Sequence, residues 1–140
     1  MAEMIVLQGR KVVGGKAYGE AIVTKEPLCF FPLMDRSTGV ITDSNHPLYG
    51  RSLSNKILVY PTGKGSTGTT YAIYDMVAIR GTGPKALIMA QAEPISTIGA
   101  IMGEIPVVDS FKDDIFNLIS DGDYLEIDGD NGIVTITKKA

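Results

Sequence analysis

Tryptophan is absent from the 140 residues, and cysteine and histidine occur once each, as Cys29 and His46. One thiol closes no disulfide within the chain. It also falls short of the three or four thiolates, roughly, that an iron–sulfur cluster wants, so any such cluster would have to come from a partner. No hydrophobic run is long enough to cross a bilayer, and the opening stretch Met1 to Gln8 is too short and too polar for a signal peptide or membrane anchor, which points to the cytoplasm. Positive charge is not in surplus either: 13 Lys and Arg stand against 16 Asp and Glu, a net charge of -3. Without a basic cluster the chain suits neither nucleic acid nor an anionic membrane surface as partner. The acidic residues show no metal-binding spacing. Linkers and low-complexity tracts are missing too, so residues 1–140 read as a single domain, and 44% hydrophobic with 21% charged residues is ordinary for a globular core.

What is present centres on the run Gly63-Lys64-Gly65-Ser66-Thr67-Gly68-Thr69-Thr70. The apolar segment Lys56 to Tyr60 ahead of it reads as a strand that Pro61 ends. Behind it, Ile73, Met76, Val77 and Arg80 recur at helical spacing until Gly81-Thr82-Gly83-Pro84. Ser66 and Thr67 therefore fall at or near a helix amino end, where free amides and the helix dipole favour a phosphate, a carboxylate or a developing oxyanion. The glycines let backbone approach a ligand, and Lys64 adds a mobile positive charge. The order of residues matches neither the Walker A pattern nor the dinucleotide fingerprint, and on spacing alone such a loop is more often a capped turn than a site.

Elsewhere strand-like and helix-like segments alternate. Strands are predicted at Glu20 to Thr24, Pro27 to Phe31, Val40 to Thr42, Ala86 to Ala90 and Ile105 to Val108, and helices at Pro94 to Met102 and Asp113 to Ser120. A closing hairpin joins 124–128 to 133–137 across Gly129-Asp130-Asn131-Gly132. Periodicity alone gives an α/β fold. Cys29, within Leu28-Cys29-Phe30-Phe31, reads as a small buried apolar residue. His46 lies in the turn-rich stretch Asp43 to Gly50, where a lone histidine is more often solvated than functional. Tyr71 and Tyr74 read as packing or interface surface, and Glu126, Asp128 and Asp130 as solvent-facing.

The stretch K-I-L-V-Y-P-T-G-K-G-S-T-G-T-T-Y, Lys56 to Tyr71, resembles the signature of the aconitase X swivel-domain family, the small subunits of phosphomevalonate dehydratases. Further pieces resemble it in the same order: Gly9 to Ala21, which matches the family's opening strand pair, Asp35 to Gly39, His46 to Gly50, Gly83 to Ile88 and Pro94 to Met102. The likeness covers roughly Arg10 to Asp109, and colinear motifs are far more specific than one loop.

The resemblance implies a three-layer swivelling β/β/α domain, similar to the aconitase swivel. It implies a hydro-lyase active only as a heterodimer, whose large subunit carries a 4Fe-4S cluster. The implied reaction dehydrates (R)-5-phosphomevalonate to trans-anhydromevalonate 5-phosphate in a mevalonate route to isoprenoids. Ser66 matches the family's catalytic serine base, with Lys64, Gly65 and Thr67 beside it as substrate-binding positions. His46 matches loosely the Asp-His-Ile-Ser-Pro loop of aconitases, making Asp43 and His46 candidate substrate contacts. A serine hydroxyl is a poor base unless its alkoxide is stabilised where it forms, which a helix amino end can do. The likeness has two gaps: many members carry a second serine where this chain has Thr70, and the aconitase arginine has no counterpart at Gly68.

Two other readings stay open. One is a related aconitase X dehydratase acting, for example, on cis-3-hydroxyproline; Lys64 tips the choice toward a phosphorylated substrate. The other is a non-catalytic swivel or phosphohistidine carrier, since Ile95 to Val107 resembles that motif, although Ile98 stands where the carrier needs histidine.

Overall fold

The computed structural model describes residues 3–139. Ten strands and three helices follow one another along the chain: β1 Met4–Gln8, β2 Arg10–Val13, β3 Lys16–Val23, β4 Met34–Asp35, β5 Val40–Ile41, β6 Ile57–Tyr60, α1 Thr67–Tyr74, β7 Ala86–Met89, α2 Pro94–Gly103, β8 Val107–Asp109, α3 Ile115–Leu118, β9 Tyr124–Asp128 and β10 Ile133–Thr137. Eight strands share one sheet in the order β1-β10-β9-β3-β6-β7-β8-β2, and β4 and β5 form a separate small pair.

The long strand β3 joins the sheet's two halves. Its first part, Lys16 to Glu20, pairs antiparallel with β9, while Ala21 to Val23 pair parallel with β6. From β6 the sheet continues parallel through β7 to β8 and closes with antiparallel β2. On the other side, β9, β10 and β1 are antiparallel throughout.

Alternation along the central strands explains the layering, because successive side chains point to opposite faces. Leu58 and Tyr60 of β6, with Leu87 and Met89 of β7, face Ala72, Ile73 and Met76 of the first helical segment and Ala100 of α2. Ile57, Val59, Ala86 and Ile88 face the opposite way, onto Leu125, Ile127, Val134 and Ile136 of the outer hairpin. Both faces of the inner strands are covered, which is why they read as unbroken apolar runs. The outer strands alternate instead, with Tyr124 and Glu126 exposed between buried neighbours. The result is the three-layer β/β/α arrangement, an α/β fold of the swivel type.

Two local expectations need correction. Pro27 to Phe31 is not a strand: it makes one isolated parallel bridge, Leu28 to Gly63. The opening pair is two strands that do not pair together, β2 going to β8 and β3 to β9 and β6. At the other edge of the sheet, β1 completes the outer half against β10.

The helix after β6 changes pitch. From Asp75 to Arg80 it widens into a π-helical turn and stops at Gly81 in a left-handed conformation, φ 68°. The wider turn stacks residues five apart, and Arg80 Nε donates to Asp75 Oδ2 at 2.8 Å.

Candidate active site

The amino ends of α1 and α2 lie at the carboxyl edge of the parallel strands β6 and β7, the edge where open α/β sheets collect ligands. The two ends are finished differently. Glu93 caps α2 with its own carboxylate, which accepts from the Ile95 amide at 2.7 Å and the Ser96 amide at 2.9 Å. That end has no donors left over for an outside anion. At α1, Ser66 occupies the cap position in an extended conformation, φ -116° and ψ -162°, and its hydroxyl makes no capping hydrogen bond. The Thr69 amide returns to Ser66 O at 2.9 Å, leaving the amides of Ser66, Thr67 and Gly68 without an acceptor among the described residues.

Ser66 is exposed, as are Lys64, Gly65 and Thr67. A free hydroxyl thus stands at an open helix end among unpaired donors, with one lysine beside it. The loop is held from below. Lys64 N donates to Leu28 O at 3.1 Å, and Leu28 N to Thr62 O at 3.4 Å. Gly65 has φ +124°, and a Cβ there would run into the Thr69 hydroxyl and lie 3.2 Å from Cys29 Sγ. Only glycine fits that turn. Thr70 does not offer a second free hydroxyl, because its Oγ1 donates to Ile95 O at 2.8 Å and ties α1 to α2.

His46 has a different place from Ser66. It is buried, its Nε2 lies 3.1 Å from Pro27 O, and its Nδ1 accepts from the Leu48 amide at 3.0 Å. With Nδ1 accepting, the ring proton sits on Nε2 and is donated to Pro27. Both nitrogens serve backbone, so the ring has no free edge for a substrate. Its contribution is to hold the 27–31 segment on which the Lys64 amide rests. Asp43 is likewise used locally, accepting from the Asn45 amide.

Several residues that the sequence did not assign to the site shape it. Cys29, half-buried, donates from Sγ to Phe31 O at 2.7 Å. The Phe31 ring lies against Gly68, its nearest carbon 2.8 Å from where a Cβ would stand. Beneath Gly63, the hydroxyls of Tyr60 and Ser96 are buried with no hydrogen-bond partner among the described residues. Burial pushes the Tyr60 phenol well above its ordinary range; the nearby Ser96 hydroxyl opposes that rise and the Glu93 charge adds to it. The phenol therefore stays protonated. The pairing of Glu93 with Pro94 was the one sequence signal for the α2 cap; nothing local announced Phe31.

A cluster held by this chain would need several converging ligands. Among the described residues no group of three or more His, Cys, Asp or Glu side chains converges, and the single thiol is already bonded to a carbonyl. The residues present do not fit such a group. No helix among them is long and apolar enough to cross a membrane.

Comparison with known proteins finds similarity along nearly the whole chain. The family model described as aconitase X swivel domain matches residues 6–136. A protein of Thermococcus kodakarensis named phosphomevalonate dehydratase small subunit is 45% identical over 130 residues, 93% of this chain and 95% of that one. Its namesake from Methanosarcina acetivorans is 37% identical over 134 residues, covering 96% and 92%. Among solved structures, the crystal structure of Thermococcus kodakaraensis aconitase X in its holo form superposes with a TM-score of 0.88 at 42% identity, over 96% of this chain and 99% of that one.

Proposed function

The chain belongs to the aconitase X swivel-domain family, and from that membership we propose that it is the small subunit of a phosphomevalonate dehydratase. In this reading it is a hydro-lyase subunit that works with a larger partner on (R)-5-phosphomevalonate, giving trans-anhydromevalonate 5-phosphate and water. The names of its relatives supply the partner's existence, since a small subunit implies a larger one. The 4Fe-4S cluster we assign to that partner, because the described residues of this chain bring together no ligand set for it. We place the pair in the cytoplasm, where an unpaired thiol such as Cys29 persists.

The observation that carries the reading is the contrast between the two helix ends, one closed by Glu93 and one left open at Ser66. Loss of water from a β-hydroxy acid requires a base for the proton on the carbon beside the one that loses hydroxide. Ser66 is free to be that base because its oxygen is not spent on capping. As an alkoxide it would be stabilised by the amide of Gly68, the second residue of the helix and a donor that a capping oxygen ordinarily reaches, and by the positive end of α1. The amides of Ser66 and Thr67, with Lys64, are left to meet the substrate's anionic groups. His46 has no part in this chemistry.

The test is Ser66→Ala in the complex reconstituted anaerobically from both subunits. Removing a positioned base costs about 10²- to 10⁴-fold in kcat, and the variant should melt at the wild-type temperature, since no hydrogen bond of the Ser66 side chain is lost. Turnover of phosphomevalonate within a few-fold of wild type would take Ser66 out of the role.

A further inference from the structure

Exposed apolar side chains gather in three places: beside the Ser66 loop, on the outer face of α2, and on the open face of the outer strands. The first group differs from the others because one arginine lies over two of its rings, whereas on the outer strands a lysine, Lys85, lies over the single ring of Tyr18. Phe31 and Tyr71 are 46% and 54% exposed, Leu33 is 41% exposed, and between the two rings lies the guanidinium of Arg36. Its central carbon is 5.9 Å from the Phe31 ring centre and 5.4 Å from that of Tyr71.

Arg36 is held from several directions. Its carbonyl accepts from the Thr82 hydroxyl at 2.6 Å, and its Nη1 lies 3.2 Å from Asp75 Oδ2. The same carboxylate oxygen is already taken by Arg80, so two guanidiniums share one negative charge. The remaining N–H groups of Arg36 find no acceptor among the described residues, and the side chain is only 29% exposed. Set over two aromatic rings, tethered at one edge and sharing its counter-charge with Arg80, the guanidinium has lost much of its freedom before any ligand arrives. Tyrosine and arginine held rigidly amid exposed apolar groups are the usual anchors of a protein interface.

We propose that the patch of Phe31, Leu33, Arg36 and Tyr71 is the docking surface for the larger, cluster-bearing subunit, with Arg36 receiving a carboxylate from it. The proposal rests on the dehydratase reading above. Its position supports that occupant: Phe31 lies against Gly68 in the first turn of α1, so a protein seated on the patch is continuous with the open helix end and covers Ser66. Covering that end also excludes water from the base, which strengthens every charge interaction inside. The outer face of α2, around Ile98 and Met102, has no comparable cation–ring arrangement among the described residues and remains outside the contact.

Association is measured by titrating fluorescently labelled small subunit, wild type or variant, into the larger subunit under anaerobic conditions. Leu33→Asp and Arg36→Met should each weaken the Kd by 30-fold or more, as about 2 kcal/mol at a central anchor implies. Met102→Asp should leave it within threefold. Leu33→Asp changes an exposed loop side chain, so its melting temperature should match wild type, and at saturating concentration its complex should recover kcat to within threefold. Unchanged Kd for both patch variants overturns the proposal, as does an equal loss from Met102→Asp. So does an Arg36→Met complex that associates normally but shows a tenfold higher KM for phosphomevalonate, which would place the guanidinium on substrate. Because association is read without turnover, failure of this proposal leaves the Ser66 result standing, and failure of the Ser66 variant leaves the Kd values standing.

Discussion

With Nδ1 taking the Leu48 amide and Nε2 meeting the Pro27 carbonyl, the His46 ring pins its own turn onto the segment beneath Ser66. Replacing it with alanine would leave a buried amide and a partly buried carbonyl unpaired, a cost of about 2 kcal/mol, since the buried amide loses its hydrogen bond without regaining water. His46→Ala should therefore unfold at a lower urea concentration while its folded complex keeps kcat within a few-fold; a lost kcat with an unchanged unfolding midpoint would make the ring a substrate contact. Ser66 was legible because strand, glycine loop and helix succeed one another within one short stretch, and that succession fixes where a helix end must fall. His46 was not. A turn-rich segment of polar residues looks solvated until the chain's path brings Pro27 and Leu48 around it, and those contacts span nineteen residues of sequence in one case.

Between helices, α1 and α2 approach closely. A Cβ on Gly99 would stand 2.9 Å from Ile73 Cβ and 3.0 Å from Thr70 O, so the missing side chain sets the helix spacing. Alanine is the better helix former by about 1 kcal/mol, yet here overpacking against backbone costs about 1–3 kcal/mol and outweighs it. Gly99→Ala should lower the melting temperature in spite of propensity, and because Thr70 ties the two helices beside the Ser66 end, it should lower kcat too. A variant that melts higher than wild type would show that the helices separate without strain. The same scale explains which elements were readable. The strands β6 and β7 announced themselves as apolar runs because both of their faces are buried, and the β9–β10 hairpin because Gly-Asp-Asn-Gly allows only a turn. Leu28 to Phe31 is equally apolar, but only Leu28 and Phe30 enter the core and its backbone makes one isolated bridge, so composition misdirects. The partners of β2 and β3 were hidden for a related reason: neighbours in sequence pair when a tight turn returns the chain, and here the chain passes Gly14 and Gly15 into a different part of the sheet.

At the level of the whole molecule, the edge strand β2 is secured to the centre by charge. Arg10 grips Asp109 with two hydrogen bonds, Nε at 2.9 Å and Nη2 at 2.8 Å, and the other claim on that carboxylate comes from the Ala92 amide at 2.8 Å. One buried carboxylate thus joins an edge strand, the end of β8 and the approach to α2. Burial works against the charged form of Asp109, but the hydrogen bonds from Arg10 and Ala92, with the Arg10 charge, prevail and hold its carboxyl below the usual range. Asp123 follows the same pattern: burial is opposed by Lys138 and by the amides of Lys139 and Ser120, and its carboxyl is also held low. Because these groups bind protons more weakly folded than unfolded, their contribution is complete above the unfolded value of about 4 and is lost as pH falls through the lower folded values. The isolated chain should therefore keep a constant urea midpoint from neutrality down to about pH 5 and lose stability steadily below about pH 4. Asp109→Asn removes one of the two titrating carboxylates while leaving an oxygen for the Ala92 amide. It should be less stable than wild type at pH 7, and the gap should narrow as the pH is lowered, because wild type then surrenders the interaction that the variant already lacks. A gap that stays constant from pH 7 to pH 2.5 would mean that packing around residue 109, and not its charge, anchors β2 to the core.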